Sequence, residues 1–209
     1  MIVKKMAVGP YGSNCYIVGS DRNNEGLIID PGGKAGLILG TVGDLELDIK
    51  IIVLTHGHVD HFIALKDVQE GTGAEVAIHA NDARRIDVGG NSISYMYGYS
   101  YKQPSSLDRL LEDGDIIEAG DLSFRVIHTP WHTPGCICIL GHGCLFTGDT
   151  AVRRLIGSGS NTAGRYSWID ESTDDRFIDL PDDTIIYPGH GSKKSVGHMR
   201  RRKPFIRRL

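Results

Sequence analysis

The sequence predicts an α/β fold. Three observations support it. Short runs rich in Ile, Val, Leu and Phe alternate along the 209-residue chain with segments of helical periodicity, the pattern of sheets covered by helices. Four of the apolar runs end just before a His or an Asp, so a rigid sheet would gather those polar ends at one edge. The 27 glycines favour turns and close backbone approaches over long helices.

In chain order, Ile2 to Val8 reads as a strand, Gly9 to Asn14 as a turn, and Cys15 to Val18 as a second strand. Leu27 to Ile29 is a third, ending at Asp30-Pro31-Gly32-Gly33, where the carboxylate reads as turn-stabilising. Lys34 to Val42 is a modest helix, weakened by Gly36 and Gly40. Ile51-Ile52-Val53-Leu54 is a strand, and Phe62 to Glu70 a helix with Phe62, Leu65 and Val68 on one face. Glu75 to Ile78 is a short strand and Ala80 to Ile86 a short helix, with His79 between them at the surface or behind the site. Residues 87–106 are irregular and hold Tyr95, Tyr97, Tyr99 and Tyr101, either a cover for substrate or an aromatic lid on the core. Ile116 to Glu118 with Leu122 to His128 forms a hairpin, and Cys136 to Leu140 with Cys144 to Thr147 another, turning at an exposed His142. His128 reads as a packed histidine. Ser172 to Leu180 is a helix capped by Ser172, Thr184 to Tyr187 a strand, and Ser195 to Lys203 a terminal helix stopped by Pro204.

Between the fourth strand and its helix lies Thr55-His56-Gly57-His58-Val59-Asp60-His61. Residues two apart in an extended segment point the same way, so His56 and His58 can reach one ion together. Gly57 leaves the approach between them open. Asp60 and His61 follow a change of direction and suit a second ion. Imidazole and carboxylate donors fit zinc, iron or manganese. The pattern recurs: Phe124 to Ile127 leads to His132, Cys144 to Thr147 leads to Asp149, and Thr184 to Tyr187 leads to His190. Four strand ends aim ligands at one edge, which is how a binuclear metal site is assembled.

Composition narrows the classes. Hydrophobic residues are 40% and charged residues 23%, a soluble balance. The net charge of −3 is too small to argue for nucleic-acid or membrane partners, and neither is expected. No segment reaches the roughly 18 apolar residues of a membrane span, and the N-terminus lacks a signal-peptide pattern. Cys15, Cys136, Cys138 and Cys144 do not form Cys-x-x-Cys pairs and read as small, buried, reduced residues of a cytoplasmic protein.

The ordered set His-x-His-x-Asp-His, Thr-Pro-x-His-Thr-Pro-Gly, Phe-Thr-Gly-Asp-Thr and Pro-Gly-His-Gly resembles the metallo-β-lactamase superfamily, and within it the glyoxalase II-like hydroxyacylglutathione hydrolases. The similarity runs from about Asn14-Cys15-Tyr16 to the C-terminus. It implies a four-layer αββα sandwich of two mixed sheets in a single domain, 1–209. It implies one ion on His56, His58 and His132, a second on Asp60, His61 and His190, and Asp149 bridging them, with Asp30 supporting the site from outside. Two zinc ions are expected, with iron or manganese as alternatives, and a hydroxide between them as nucleophile. Asp60 would orient that water or shuttle its proton. The implied substrate is a small anionic thioester such as hydroxyacyl-glutathione.

Three departures bear on specificity. The C-terminal helical domain that contacts glutathione in full-length glyoxalase II is not expected after the His190 motif. Cys136 stands where relatives often have Ser or His, and Gly164-Arg165-Tyr166-Ser167 where many have Gly-Arg-Thr-Asp. Other branches of the superfamily supply the alternatives: a mononuclear iron persulfide dioxygenase using His56, His132 and Asp149, a lactonase, or a non-enzymatic metal-binding protein. The basic cluster Arg200-Arg201-Arg202-Lys203 with Arg207-Arg208 is either a solvated face or an anchor for an anionic substrate.

Overall fold

A computed structural model describes residues 1–86, 102–150, 177 and 179–201. Its centre is a pair of six-stranded sheets. The first runs β1 (Ile2–Val8), β2 (Ser13–Gly19), β3 (Glu25–Ile29), β4 (Asp48–Leu54), β5 (Glu75–His79) and β6 (Arg109–Leu111) in spatial order. Its first three strands pair antiparallel and the rest parallel. The second contains β7 (Ile116–Ala119), β8 (Leu122–His128), β9 (Ile137–Gly141), β10 (Cys144–Gly148), β11 (Ile185–Pro188) and β12 (Lys194–Ser195), also side by side in chain order. All its pairings are antiparallel except β10 with β11. Both sheets are therefore mixed.

Period-two alternation explains how the sheets stack. Tyr16, Val18, Leu27, Ile29, Ile51 and Val53 face inward and meet Phe124, Val126, Ile139 and Phe146 of the second sheet. Their neighbours Ile17, Ile28, Ile52 and Leu54 face outward, onto Ile38 and Val42 of α1 (Ala35–Asp44) and Leu65 and Val68 of α2 (Leu65–Thr72). The outer face of the second sheet does the same with Ile127, Cys138, Leu145 and Ile186. It packs on Phe177 and on Val196 of α3 (Val196–Arg201). Strands apolar on both faces need cover on both sides, and the four layers αββα follow.

The structure corrects several expectations in detail. The helix expected from Phe62 begins only at Leu65. Before it, Val59–His61 forms one 3-10 turn, and the amide of Ala64 donates to the Pro31 carbonyl at 3.0 Å. That bond ties the connection to the Asp30 turn and delays the helix. The short strands β6 and β12 were not anticipated, because two or three residues carry no readable period. His79 is buried (6% exposed) rather than superficial. The β9–β10 hairpin turns at an exposed His142, as expected, with positive φ at His142 and Gly143. The expected helix at 172–180, the tyrosine-rich stretch 95–101, the segment 151–171 and the basic residues after 201 fall largely or wholly outside the described residues.

Candidate metal centre

Five strand ends build the site. β4 delivers His56, His58, Asp60 and His61, β8 leads to His132, β10 to Asp149 and β11 to His190, while β3 ends beside Asp30. All seven residues singled out as ligands converge on one edge. Donor atoms of His56, His58 and His132 lie within 4.8 Å of one another, and so do those of Asp60, His61 and His190. The change of chain direction after His58 predicts the split of His56 and His58 from Asp60 and His61, and the resemblance implies the addition of His132 to the first pair and His190 to the second. Each could hold an ion.

Asp149 lies between the trios. Its Oδ2 is 4.0 Å from Nε2 of His56 and 3.5 Å from Nε2 of both His132 and His190. Its Oδ1 is 3.5 Å from Nε2 of His61. A carboxylate whose two oxygens together reach both trios has the chemistry of a bridge. Asp60 Oδ2 lies 3.3 Å from His190 Nε2 and 3.6 Å from His61 Nε2.

Asp30 organises the deepest part. Its Oδ1 accepts the Thr55 amide at 2.8 Å, and its Oδ2 accepts the Thr55 hydroxyl at 2.6 Å and Nδ1 of His61 at 3.0 Å. With its proton given to Asp30, the Thr55 oxygen is left to accept Nδ1 of His56 at 3.1 Å. Both imidazoles thus carry hydrogen on Nδ1 and turn Nε2 toward the other donor residues. Those two Nε2 atoms, of His56 and His61, are buried and have no hydrogen-bond partner among the described residues. Buried polar atoms are rarely left so. A divalent cation is the natural acceptor of two buried imidazole lone pairs beside carboxylates, so the residues present fit the metal that the donor set implies.

Charge follows the same geometry. Burial, and then the neighbouring histidines, hold His56 well below the ordinary imidazole range. Burial and the charge of His132 and Arg85 lower His58. Burial works against charge on His61 too, but the Asp30 and Asp149 carboxylates outweigh it and lift this residue to about 10. Burial raises Asp149, yet the adjacent His61, and then the charge of His190 and His132, leave it lowered overall. Of His56, His58 and His61, the last alone is thus shifted toward its charged form, while the first two are shifted toward the neutral imidazole that binds a cation.

Sequence reasoning missed several supports. Ser13 Oγ donates to the Asp60 carbonyl at 2.5 Å. Asn14 Nδ2 donates to the carbonyls of Pro188 (2.8 Å) and Gly191 (3.0 Å), and the Tyr16 hydroxyl donates to Pro188 at 2.5 Å. Strand β2 thereby holds both the Asp60 turn and the His190 loop. A buried Ser-Asn pair opening a strand was the available signal. Gly57 has a steric role beyond the one expected: a Cβ there would meet Arg85 Cβ at 2.7 Å and the Asp82 carbonyl at 3.2 Å. Its smallness also admits helical residues 80–86. His79 and His128, neither a ligand, stack with ring centroids 3.9 Å apart. All four cysteines are buried and none is in a disulfide, and burial pushes Cys136 up to about 11.

A family model described as the metallo-beta-lactamase superfamily matches residues 8–190. The chain belongs to the metallo-beta-lactamase superfamily. Like its superfamily relatives it is a metal-dependent hydrolase in kind. The hydroxyacylglutathione hydrolase GloC of Haemophilus influenzae is 30% identical over 209 residues, covering 99% of this chain and 98% of that protein. Among solved structures, the B3 metallo-beta-lactamase BLEG-1 superposes with a TM-score of 0.79 at 27% identity, covering 98% and 99% of the two chains. TTHA1623, crystallised in a di-iron-bound form, gives 0.76 at 27% identity and covers 98% and 100%. ETHE1 of Myxococcus xanthus gives 0.72 at 26% identity and covers 98% and 84%. This superfamily member has no described helix long and apolar enough to cross a membrane.

Proposed function

We propose that this chain hydrolyses thioesters of the hydroxyacyl-glutathione class at a binuclear centre, with zinc as the expected metal. The observation that carries the reading is Asp149 set between two donor trios, with Oδ2 facing His132 of one and His190 of the other and Oδ1 facing His61. The likeness to GloC along nearly the whole of both chains supports the substrate class. One ion would rest on His56, His58 and His132, the other on Asp60, His61 and His190, with Asp149 shared.

Bound ions would supply Lewis acidity, bringing water toward a neutral pKa and polarising a carbonyl. The chain's residues do the rest. Asp30, directly and through Thr55, fixes the hydrogen on Nδ1 of His61 and His56 and aims Nε2 of each inward. Asp60 is the catalytic proton acceptor, because its carboxylate stands at the ligand edge, partly exposed, beside His61 and His190. No Ser or Cys nucleophile is required, and the buried, protonated Cys136 is unsuited to be one.

A second reading has its own observation. Asp149 Oδ2 faces Nε2 of both His56 and His132, so those three could share a single iron, a ligand set of oxygen-using enzymes, and ETHE1 is a structural neighbour. Ion content per chain, followed by a panel of thioester, lactone and persulfide, separates the two. About two ions and thioester cleavage support the proposal. One iron and oxygen uptake with a persulfide would replace it.

A further inference from the structure

Helical residues 80–86 carry a carboxylate that none of the ligand motifs contains. Asp82 is 0% exposed. Its Oδ2 accepts the Gly57 amide at 2.7 Å and the Thr133 hydroxyl at 2.5 Å, and its Oδ1 accepts the Gly135 amide at 2.9 Å. These donors lie 25, 51 and 53 residues away in sequence. Gly57 sits between His56 and His58, and Thr133 follows His132. Arg85, one helical turn on, approaches Oδ1 at 3.4 Å and offsets the buried charge. We propose that Asp82 is the positioning residue of the ion site formed by His56, His58 and His132, clamping the two ligand loops at one spacing. The proposal rests on the reading of those three histidines as ligands.

The geometry makes the clamp specific. The loops come from different sheets, β4 of the first and β8 of the second, and Asp82 bonds to both. The consequence is visible in the rings: His58 and His132 stand 4.5 Å apart, edge to face, and His56 and His132 5.1 Å apart. The fit is tight, since a Cβ on Gly135 would lie 2.6 Å from Asp82 Cβ. Only a carboxylate accepts from all three donors. An asparagine has one acceptor oxygen and would turn its amide hydrogens toward Gly57 and Thr133 or toward Gly135. A carboxylate serving only the start of its own helix would accept from amides within that turn. Asp82 instead spends its oxygens on two distant loops.

The test is Asp82→Asn in the full chain, with Thr133→Val as a second variant that removes one donor only. Ions per chain are followed as zinc is withdrawn by graded chelator, a readout independent of turnover. In Asp82→Asn one ion should be lost at about 10- to 100-fold lower chelator strength, while the other is retained as in the parent. Thr133→Val should weaken the same ion less, and the double variant should be no worse than Asp82→Asn alone, because both act through one bond. Excess zinc should restore kcat. Val196→Ala, in the distant third cluster, provides a control with comparable thermal destabilisation and should keep both ions. Equal loss of both ions, wild-type retention of both, or matching loss in Val196→Ala would overturn the positioning role. A parent chain that takes up no zinc would instead sink the binuclear reading.

Discussion

Replacing Asp30 by Asn should change which nitrogen of His61 carries the proton. Asp30 sits at φ 52°, a left-handed conformation that Asn tolerates, so the backbone is not disturbed. The Thr55 amide cannot rotate away, so the single Asn oxygen stays with it and the NH2 group takes the place of Oδ2. That group donates where His61 Nδ1 formerly donated, at 3.0 Å. His61 relieves the clash of donors by moving its proton to Nε2, the buried atom without a partner. An ion must then displace that proton and loses the carboxylate charge behind the ring. Changes in partners of this kind cost about 10- to 100-fold in metal affinity, roughly 1.4–2.7 kcal/mol. Loss of charge-assisted bonds to Thr55 and His61 should cost about 2–3 kcal/mol in folding, or roughly 4–12 °C in Tm for a chain of this size. Imidazole 15N shifts report the tautomer, and chelator titration reports the affinity. If Asp30→Asn kept both ions at wild-type affinity, with His61 still protonated at Nδ1, this account of the network would be refuted.

Gly189→Ala should abolish uptake of the second ion and lower turnover more than about 100-fold, because the added Cβ would lie 2.2 Å from Asp149 Oδ1 and 2.9 Å from His61 Cε1. Ion content and thioester hydrolysis measure it, and a variant that keeps two ions contradicts it. Metal-stripped protein should be most stable near pH ~6.5. His61, raised to about 10, stabilises fully below its unfolded value and loses that contribution as pH rises toward about 10. His56, held low by burial, stabilises above its unfolded value and loses its contribution as pH falls below it. Urea midpoints against pH give the curve, and a profile rising steadily to pH 10 would contradict it. Phe146→Ala should cost about 3–5 kcal/mol. Phe146 is fully buried, with Tyr187 stacked on it at 4.9 Å and Tyr16 edge-on at 5.3 Å. Denaturant unfolding checks the value.

The proposed ligand residues were legible because their chemistry sits in short spacings at the ends of apolar runs. His56-x-His58 and the turn before Asp60-His61 need only local geometry to be assigned to separate ions. The sandwich was legible through resemblance and its sheets through alternation, as with Tyr16 inward and Ile17 outward. Asp82 was not legible. In sequence it is an ordinary acidic residue early in a short helix, and its partners are reached only after two sheets have folded together. Asp30 was read as steadying its own turn, and as supporting the site only by resemblance. Its bonds to Thr55 and His61 arise because β3 and β4 pair in parallel and end side by side. A second demand on Gly57 is hidden from the sequence, since the neighbour that crowds it approaches from a later helix. Contacts made by pairing and stacking, not by local spacing, are what one sequence withholds.

The division of the ligands between the sheets has a mechanical meaning. His56, His58, Asp60 and His61 follow a strand of the first sheet, whereas His132, Asp149 and His190 follow strands of the second. Deeper in, the sheets meet through apolar side chains, whose attraction is non-directional and permits sliding. At the ligand edge the links are directional, as in the bonds from the Ile137 amide to Thr55 and from the Asn14 amide to Gly189 at 2.9 and 2.7 Å. An ion shared across that seam would act as a clasp, converting two slabs that could shear into one body. Demetallation should then be felt first as faster amide exchange at these two bonds, long before the helices loosen.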